Sequence, residues 1–297
     1  MGFREELGEI YDIDLKTDEP MKKHTTIGLG GAADYYTEIK SLYSLNRAVT
    51  LARRYRVPVK IIGSGSNLLV SDDGFHGLVI STKRLSDVFG KKDGVMAMCG
   101  ATLASLVGFA AKNRLTGLEA LCGIPGTVGG AVVQNAGAFG VSVGDFVVSV
   151  ETLKRGKLFR YDAEECGFGY RKSRFKKSGE TIVSATFALK NGNLTDINNK
   201  ISEYTKKRRS TQPPDKNCGS VFVNPKGGYA GELIERAGLK GFRSGGAAIS
   251  FKHANFIVTS SSATATDVYN LIQYIKKTVK DKFGVTLKEE VEFIGEF

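Results

Sequence analysis

Residues 58–62, Pro-Val-Lys-Ile-Ile, run directly into Gly-Ser-Gly-Ser-Asn (63–67), and that loop into Leu-Leu-Val (68–70). An apolar β-like run that ends on a glycine-serine loop narrows the possible folds, because such a loop serves either a tight turn or an anion. A dinucleotide-binding βαβ loop must open a helix, so that the diphosphate meets the helix N-terminus. Here the loop leads through Asn67 into an apolar run and the Asp72-Asp73-Gly74 turn, which is the pattern of a second strand. A P-loop would end in Gly-Lys-Ser/Thr, and this one does not. Two readings stay open: a plain hairpin turn, and a nest of backbone N–H groups with Ser64, Ser66 and Asn67 as added donors.

A second loop, Gly123-Ile-Pro-Gly-Thr-Val-Gly-Gly-Ala131, holds four glycines and a proline in nine residues. Glycine lets backbone approach a ligand closely, or approach another element closely, so close strand–helix packing is the alternative. Asn135, just beyond, carries an amide that can donate and accept together. The formal charge of +11, from 42 Lys and Arg against 31 Asp and Glu, suits an anionic ligand, a nucleic acid or a membrane surface. The charge is spread along the chain apart from Lys206-Lys207-Arg208-Arg209. The four cysteines form no C-x-x-C pair and the three histidines no metal-binding spacing. The N-terminus lacks an apolar signal core and no run of about 20 apolar residues occurs, so a soluble, cytoplasmic chain without membrane insertion is expected.

Periodicity predicts helices over 41–55, from Thr102 to about 115, over 196–210 with Ile197, Ile201 and Tyr204 inward, and over 267–283. The last carries Val268, Leu271, Ile272, Ile275 and Val279 on one stripe. Strands are expected at 58–62, 75–81, 147–153, 157–161 and 181–189, with LKEEVEFIG as a closing strand. This is an α+β chain whose composition shifts near residue 195.

With both loops in place, the string HTTIGLGGAAD, IIGSGSNLLVSDDG, GIPGTVGGAVVQNAGAFG, GYRKSRFK, NCGSVFVNP, AGELIERAGLKGFR, KHANFIV and LKEEVEFIG resembles the UDP-N-acetylenolpyruvoylglucosamine reductase family from about residue 20 onward. The resemblance implies the FAD-binding fold of vanillyl-alcohol-oxidase type, with two α+β subdomains at 1–83 and 84–195, and a UDP-sugar domain at 196–297. It implies non-covalent FAD held by Ile62, Gly63, Ser64, Gly65, Ser66, Asn67, Leu68, Gly123, Pro125, Gly126, Thr127, Gly129, Gly130, Asn135 and Gly137. NADPH is the expected hydride donor and a UDP-sugar the substrate; a monomer without nucleic acid is expected. In the family reaction a hydride reaches C3 of an enolpyruvyl ether and a proton reaches C2.

Three positions match the family's catalytic set. Arg171 in GYRKSRF would polarise the substrate carboxylate, Ser220 in CGSVF would give the proton, and Glu290 in KEEVEF would assist polarisation. Taken singly, each has an ordinary reading: a solvated basic strand, a turn serine, and the exposed side of an edge strand. Asn224 and Arg208 are candidate substrate contacts. Cys218 lies two residues before Ser220, so a thiol reagent is expected to inactivate the protein if that strand lines the site. Val223, Phe251, Thr259 and Cys218 depart from the family pattern. No long insertion separates GYRKSRFKKSGE from TIVSATFAL, which resembles the shorter subclass lacking a tyrosine-bearing loop. Two competitors remain: a superfamily oxidase, often with flavin tethered through His or Cys, and a basic nucleic-acid-binding protein, which would need aromatic residues interleaved with the cations.

Overall fold

The computed structural model describes residues 2–92 and 94–297. The chain forms two compact units, one of Met1–Lys16, Tyr35–Ser64 and Gly77–Arg208, the other of Thr17–Asp34, Gly65–His76 and Arg209–Phe297. The helices are α1 (Phe3–Gly8), α2 (Leu42–Arg54), α3 (Leu103–Lys112), α4 (Val128–Gln134), α5 (Leu194–Thr211), α6 (Ala230–Arg236) and α7 (Ala265–Phe283).

In the first unit, five antiparallel strands lie in the order Lys157–Asp162, Val147–Lys154, Thr181–Ala188, Gly94–Met98, Val88–Lys91. Val95, Ala97, Val150, Val183, Ala185 and Phe187 from this sheet are buried in one cluster with Leu103, Leu106 and Val107 of α3 and Val128, Ala131 and Val132 of α4. α3 starts where expected, with the Thr102 hydroxyl accepting from the Ser105 N–H. Val59–Ile62 runs parallel to Phe75–Ser81, pairing Val59 with Leu78 and Ile62 with Ser81. The Ser41 hydroxyl caps α2.

The second unit is built from short pieces around α7. Thr264 and Asp267 form a capping box at its start, and Gly284, at φ +69°, closes its end by donating its N–H to the Lys280 carbonyl. The predicted stripe Val268, Leu271, Ile272, Ile275 and Val279 is buried along its length. It packs in one cluster with Ala247, Ile249 and Ile257 of the sheet Arg243–Ser244, Ala247–Ile249, Ile257–Thr259, and with Ile234 of α6. Asp72, from the Asp-Asp-Gly turn, accepts from the N–H groups of Ala265 and Thr266 at 2.8 Å each and from the Thr266 hydroxyl.

Two expectations change. LKEEVEFIG is not one strand but two, Lys288–Glu289 and Glu292–Ile294, because the pieces pair with different partners: the first antiparallel to Phe222–Val223, the second parallel to Leu68–Val70. For the same reason the GSGSN loop is no hairpin turn, since Val59–Ile62 pairs with Phe75–Ser81 and Leu68–Val70 with Glu292–Ile294. The helix α4, opened by the second glycine loop and capped by Thr127, has no clear signal in the sequence. Gly129, Gly130 and Ala131 leave it too few large apolar side chains to show a period.

Candidate active site

The loop residues Gly63 and Ser64 follow the strand Val59–Ile62 in the first unit, and the chain passes into the second between Ser64 and Gly65. Gly63 lies against Thr127. A Cβ at Gly63 would overlap Thr127 Oγ1 outright and stand 3.0 Å from its Cγ2. The start of the first glycine loop therefore meets the second within one unit, and glycine at 63 is demanded by that contact. Gly129 is also a packing glycine: its N–H donates to the Cys99 carbonyl at 2.8 Å and a Cβ there would stand 3.0 Å from Cys99 Cβ. Gly130 is different: beyond its chain neighbours and its own helix backbone, the nearest atom to a Cβ position stands at 3.7 Å.

The structure offers three features that fit a flavin dinucleotide. Among the described residues, the successive backbone N–H groups of Ser64 and Gly65 donate to no protein acceptor, the arrangement an anion nest requires. Gly65 takes φ +65°, where a side chain is strained, and a Cβ would run into the His24 carbonyl. The Gln134 Oε1 is buried with no hydrogen-bond partner among the described residues, an acceptor without a donor beside the second loop.

Two expected ligand amides are engaged by the protein itself. Asn67 donates from Nδ2 to the Glu290 carbonyl at 3.0 Å. Asn135, buried and left-handed at φ +44°, accepts from the Gly144 N–H at 2.8 Å and donates to the Gly169 carbonyl at 2.9 Å. That second bond holds the turn in which Gly169 and Lys172 exchange both backbone hydrogen bonds at 3.0 Å. Arg171 is inside this turn, at φ +50°, half-buried rather than on a solvated strand. Its Nη2 donates to the Gly137 carbonyl at 3.2 Å, and its guanidinium lies 5.5 Å from the Tyr170 ring.

On α5, Arg208 and Lys207 stand over the Phe139 ring, at 5.8 and 5.2 Å from its centre, while Phe139 stacks on Tyr204. Burial pushes the Arg208 guanidinium below its ordinary value. Lys206 and Arg209 are exposed, so the basic run splits between a half-buried arginine and solvated neighbours.

In the second unit Ser220 and Glu290 lie on neighbouring backbone. The Glu290 N–H donates to the Val221 carbonyl at 2.8 Å, and Phe222 pairs with Glu289. Ser220 opens on a cavity of about 390 Å³ lined also by Asn224, Tyr229, Glu232, Glu235, Lys252 and His253. Asn224 accepts from the Ala230 N–H at the start of α6. Burial pushes the His253 imidazole below its ordinary value, and its Nδ1 faces the Asn255 N–H at 3.2 Å. Sequence reading assigns no task to Lys252, His253 or Asn255, although all three stand in the quoted KHANFIV string. Of the departures, Thr259 bonds the Ile27 carbonyl and Phe251 lies over Gly241, both local packing matters. Cys218 is 1% exposed, and burial pushes its thiol up to about 12, so the expectation of a reactive thiol fails. Among the described residues no helix is long and apolar enough to cross a membrane, and no cluster of His, Cys, Asp and Glu could hold a metal ion.

Fold and loops define a flavin-binding chain: residues 33–161 match the model of the FAD binding domain. A cholesterol oxidase structure shares this fold, with a TM-score of 0.51 at 16% identity over 61% of this chain and 38% of that one. Residues 212–294 match the model of the UDP-N-acetylenolpyruvoylglucosamine reductase C-terminal domain. The chain is 44% identical to the UDP-N-acetylenolpyruvoylglucosamine reductase of Carboxydothermus hydrogenoformans over 99% of its length and 98% of that protein. It is 41% identical to that of Oceanobacillus iheyensis, over 95% of this chain and 93% of the other. The crystal structure of the Thermus caldophilus reductase superposes with a TM-score of 0.81 at 35% identity, covering 95% of this chain and 99% of that one. The chain belongs to the UDP-N-acetylenolpyruvoylglucosamine reductase family.

Proposed function

We infer that this protein reduces the enolpyruvyl ether of UDP-N-acetylglucosamine to UDP-N-acetylmuramate at the expense of NADPH, a step of peptidoglycan precursor synthesis. The observation that carries the reading is kinship over the whole chain, 44% identity across 99% of its length with a named reductase. When bound, FAD would supply the hydride chemistry that links NADPH to C3 of the enolpyruvyl group.

The residues of this chain handle the charge that hydride addition creates at C2, next to a carboxylate. Arg171 clamps and polarises that carboxylate, a task suited to a guanidinium with two parallel donors. Its left-handed backbone and its bond to the Gly137 carbonyl support a fixed aim. Ser220 donates a proton to C2, and its alkoxide is re-protonated from solvent; one hydride and one proton thus saturate the double bond. Glu290 assists the polarisation, which its backbone bond to Val221 supports by holding it close to the Ser220 segment. Ser64, Gly65, Ser66 and the second loop face the FAD diphosphate, with Ile62, Gly63, Leu68, Gly123, Pro125, Gly126, Thr127, Gly129, Gly130 and Gly137 shaping its bed. Asn67 and Asn135 act there by holding backbone. Asn224 and Arg208 contact the UDP-sugar.

The same proposal includes two flavin subdomains, 1–83 and 84–195, with a UDP-sugar domain at 196–297, and a cytoplasmic monomer. The C-terminal family match beginning at 212 supports a sugar domain in that region. The test is anaerobic rapid mixing of the FAD-loaded protein: NADPH should bleach the flavin band, and the enolpyruvyl ether should restore it with formation of a product two mass units heavier. A flavin that stays with the acid-precipitated protein, or that is restored only by oxygen, would overturn the reading in favour of an oxidase.

A further inference from the structure

Ser220 lacks a secondary-structure element of its own. The strand that follows it, Phe222–Val223, has two residues, too few to hold a register unaided. Gly219 before it takes φ +79°, and a Cβ there would meet nothing nearer than the Ser66 carbonyl oxygen at 3.9 Å. The segment is held on both sides of Ser220: before it the Gly219 N–H donates to Asn217 Oδ1 at 2.8 Å, and after it Val221 and Phe222 are bonded in turn.

On the C-terminal side, besides the backbone pairing with Glu289 and Glu290, one side chain grips the segment. Asn255, 4% exposed, accepts from the Phe222 N–H through Oδ1 at 2.9 Å and donates from Nδ2 to the Phe222 carbonyl at 2.8 Å. Its own backbone carbonyl takes the Val221 N–H at 2.9 Å, and its N–H faces His253 Nδ1. All four polar groups of the residue are thus engaged, three of them by the two residues after Ser220. The amide works as a partner strand one residue long. Val221 and Phe222 are each 1% exposed, so water cannot replace these bonds.

We propose that Asn255 is a positioning residue for proton delivery by Ser220: its amide fixes the Val221–Phe222 backbone and thereby the place of the Ser220 hydroxyl in the cavity. The proposal rests on the reductase reading above. Asparagine is the side chain that does this, because it presents a donor and an acceptor side by side. Aspartate keeps the acceptor for the Phe222 N–H but turns an oxygen toward the Phe222 carbonyl. A shift of about 1 Å in a reacting group costs on the order of 100-fold in rate.

The experiment is a cycle of Asn255→Asp, Ser220→Ala and the double variant in the FAD-loaded protein, with both half-reactions followed by rapid mixing. Asn255→Ser is carried alongside, so that a failure of one substitution to fold leaves the cycle intact. With Ser220 present, the enolpyruvyl half-reaction should slow about 10- to 100-fold, with bleaching by NADPH kept within about twofold. In the Ser220→Ala background the same substitution should change the enolpyruvyl half-reaction by less than about twofold, because no hydroxyl remains to misplace. On the protein without cofactor, amide hydrogen exchange should quicken in segment 220–223 and stay unchanged along α7. Equal losses in both backgrounds, equal slowing of both half-reactions, or exchange that quickens throughout the second unit would overturn the proposal. If the unsubstituted protein fails in either half-reaction, it is the reductase reading that falls.

Discussion

Gly63→Ala tests the meeting of the two glycine loops. Gly63 does not need a left-handed backbone, so the whole effect comes from the neighbour its new Cβ would strike. That neighbour is Thr127, whose Oγ1 the Cβ overlaps and whose Cγ2 and Cβ stand at 3.0 and 3.2 Å. Thr127 must rotate away, and its hydroxyl then leaves the Gly130 N–H it caps at 3.5 Å. So long a cap is worth about 0.5–1 kcal/mol, and the overpacking about 1–3 kcal/mol, which places Gly63→Ala at roughly 3 kcal/mol. Thr127→Ala alone loses only the cap, about 0.5–1 kcal/mol. In the double variant the overlapping atoms are gone and a Cβ–Cβ approach of 3.2 Å remains, which a small backbone shift relieves. The double variant should therefore lose only about 1.5 kcal/mol, a coupling of about 2 kcal/mol. Urea unfolding of the cofactor-free protein, followed by circular dichroism, measures the stabilities. Titration with FAD should show the affinity lost in Gly63→Ala and largely restored in the double variant. Additive stabilities, or a Gly63→Ala protein as stable as the parent, would refute the contact and with it the joint loop bed.

Ser220→Ala should leave bleaching of the flavin by NADPH near normal and slow reoxidation by the enolpyruvyl ether by about 10²–10⁴-fold, while Ser220→Cys should retain more activity than alanine; a parent-like rate in the alanine variant would remove Ser220 from the mechanism. With its thiol raised from 9.0 to about 12, Cys218 carries about a thousandfold less thiolate at neutral pH than an ordinary cysteine. Iodoacetamide should thus leave Cys218 unmodified in the folded protein, as peptide mass mapping would read, and label it after denaturation. Burial by itself would raise the Asp267 carboxyl, but the Thr264 N–H, the Gly246 N–H and the Thr264 hydroxyl together hold it below 3.8. Its contribution to stability is then complete above about pH 4 and lost as pH falls through the folded value. Asp267→Asn should be less stable at pH 7 and show a shallower fall of the urea midpoint between pH 5 and pH 2; an unchanged pH slope would count against the cap.

The elements legible in the sequence are those whose burial repeats along the chain. α2, α3, α5 and α7 each carry an apolar stripe, and the strands Val147–Lys154 and Thr181–Ala188 are long enough to show their character. Four-residue Val59–Ile62 is legible too, because the glycine loop punctuates it. In the second unit many strands have two or three residues, and a period cannot be read from so few. Their partners lie far away in the chain, as with Leu68–Val70 and Glu292–Ile294, so LKEEVEFIG reads as one strand until the pairing is seen.

At the site, the resemblance of GYRKSRF, CGSVF and KEEVEF to the family's motifs is what nominates Arg171, Ser220 and Glu290, since taken singly each residue has an ordinary reading. What each polar side chain touches is decided by the tertiary structure alone. The amides of Asn67 and Asn135 look alike in sequence and suited to a ligand, yet each holds backbone, at Glu290 and at Gly169. Cys218 sits beside a proposed acid in sequence but is sealed in the core of its unit. Asn255 carries no local signal, because its partners at Val221 and Phe222 are tens of positions distant and only folding brings them within reach. Local sequence sets what a side chain can donate or accept. The fold decides which group, across tens or hundreds of residues, is near enough to take it.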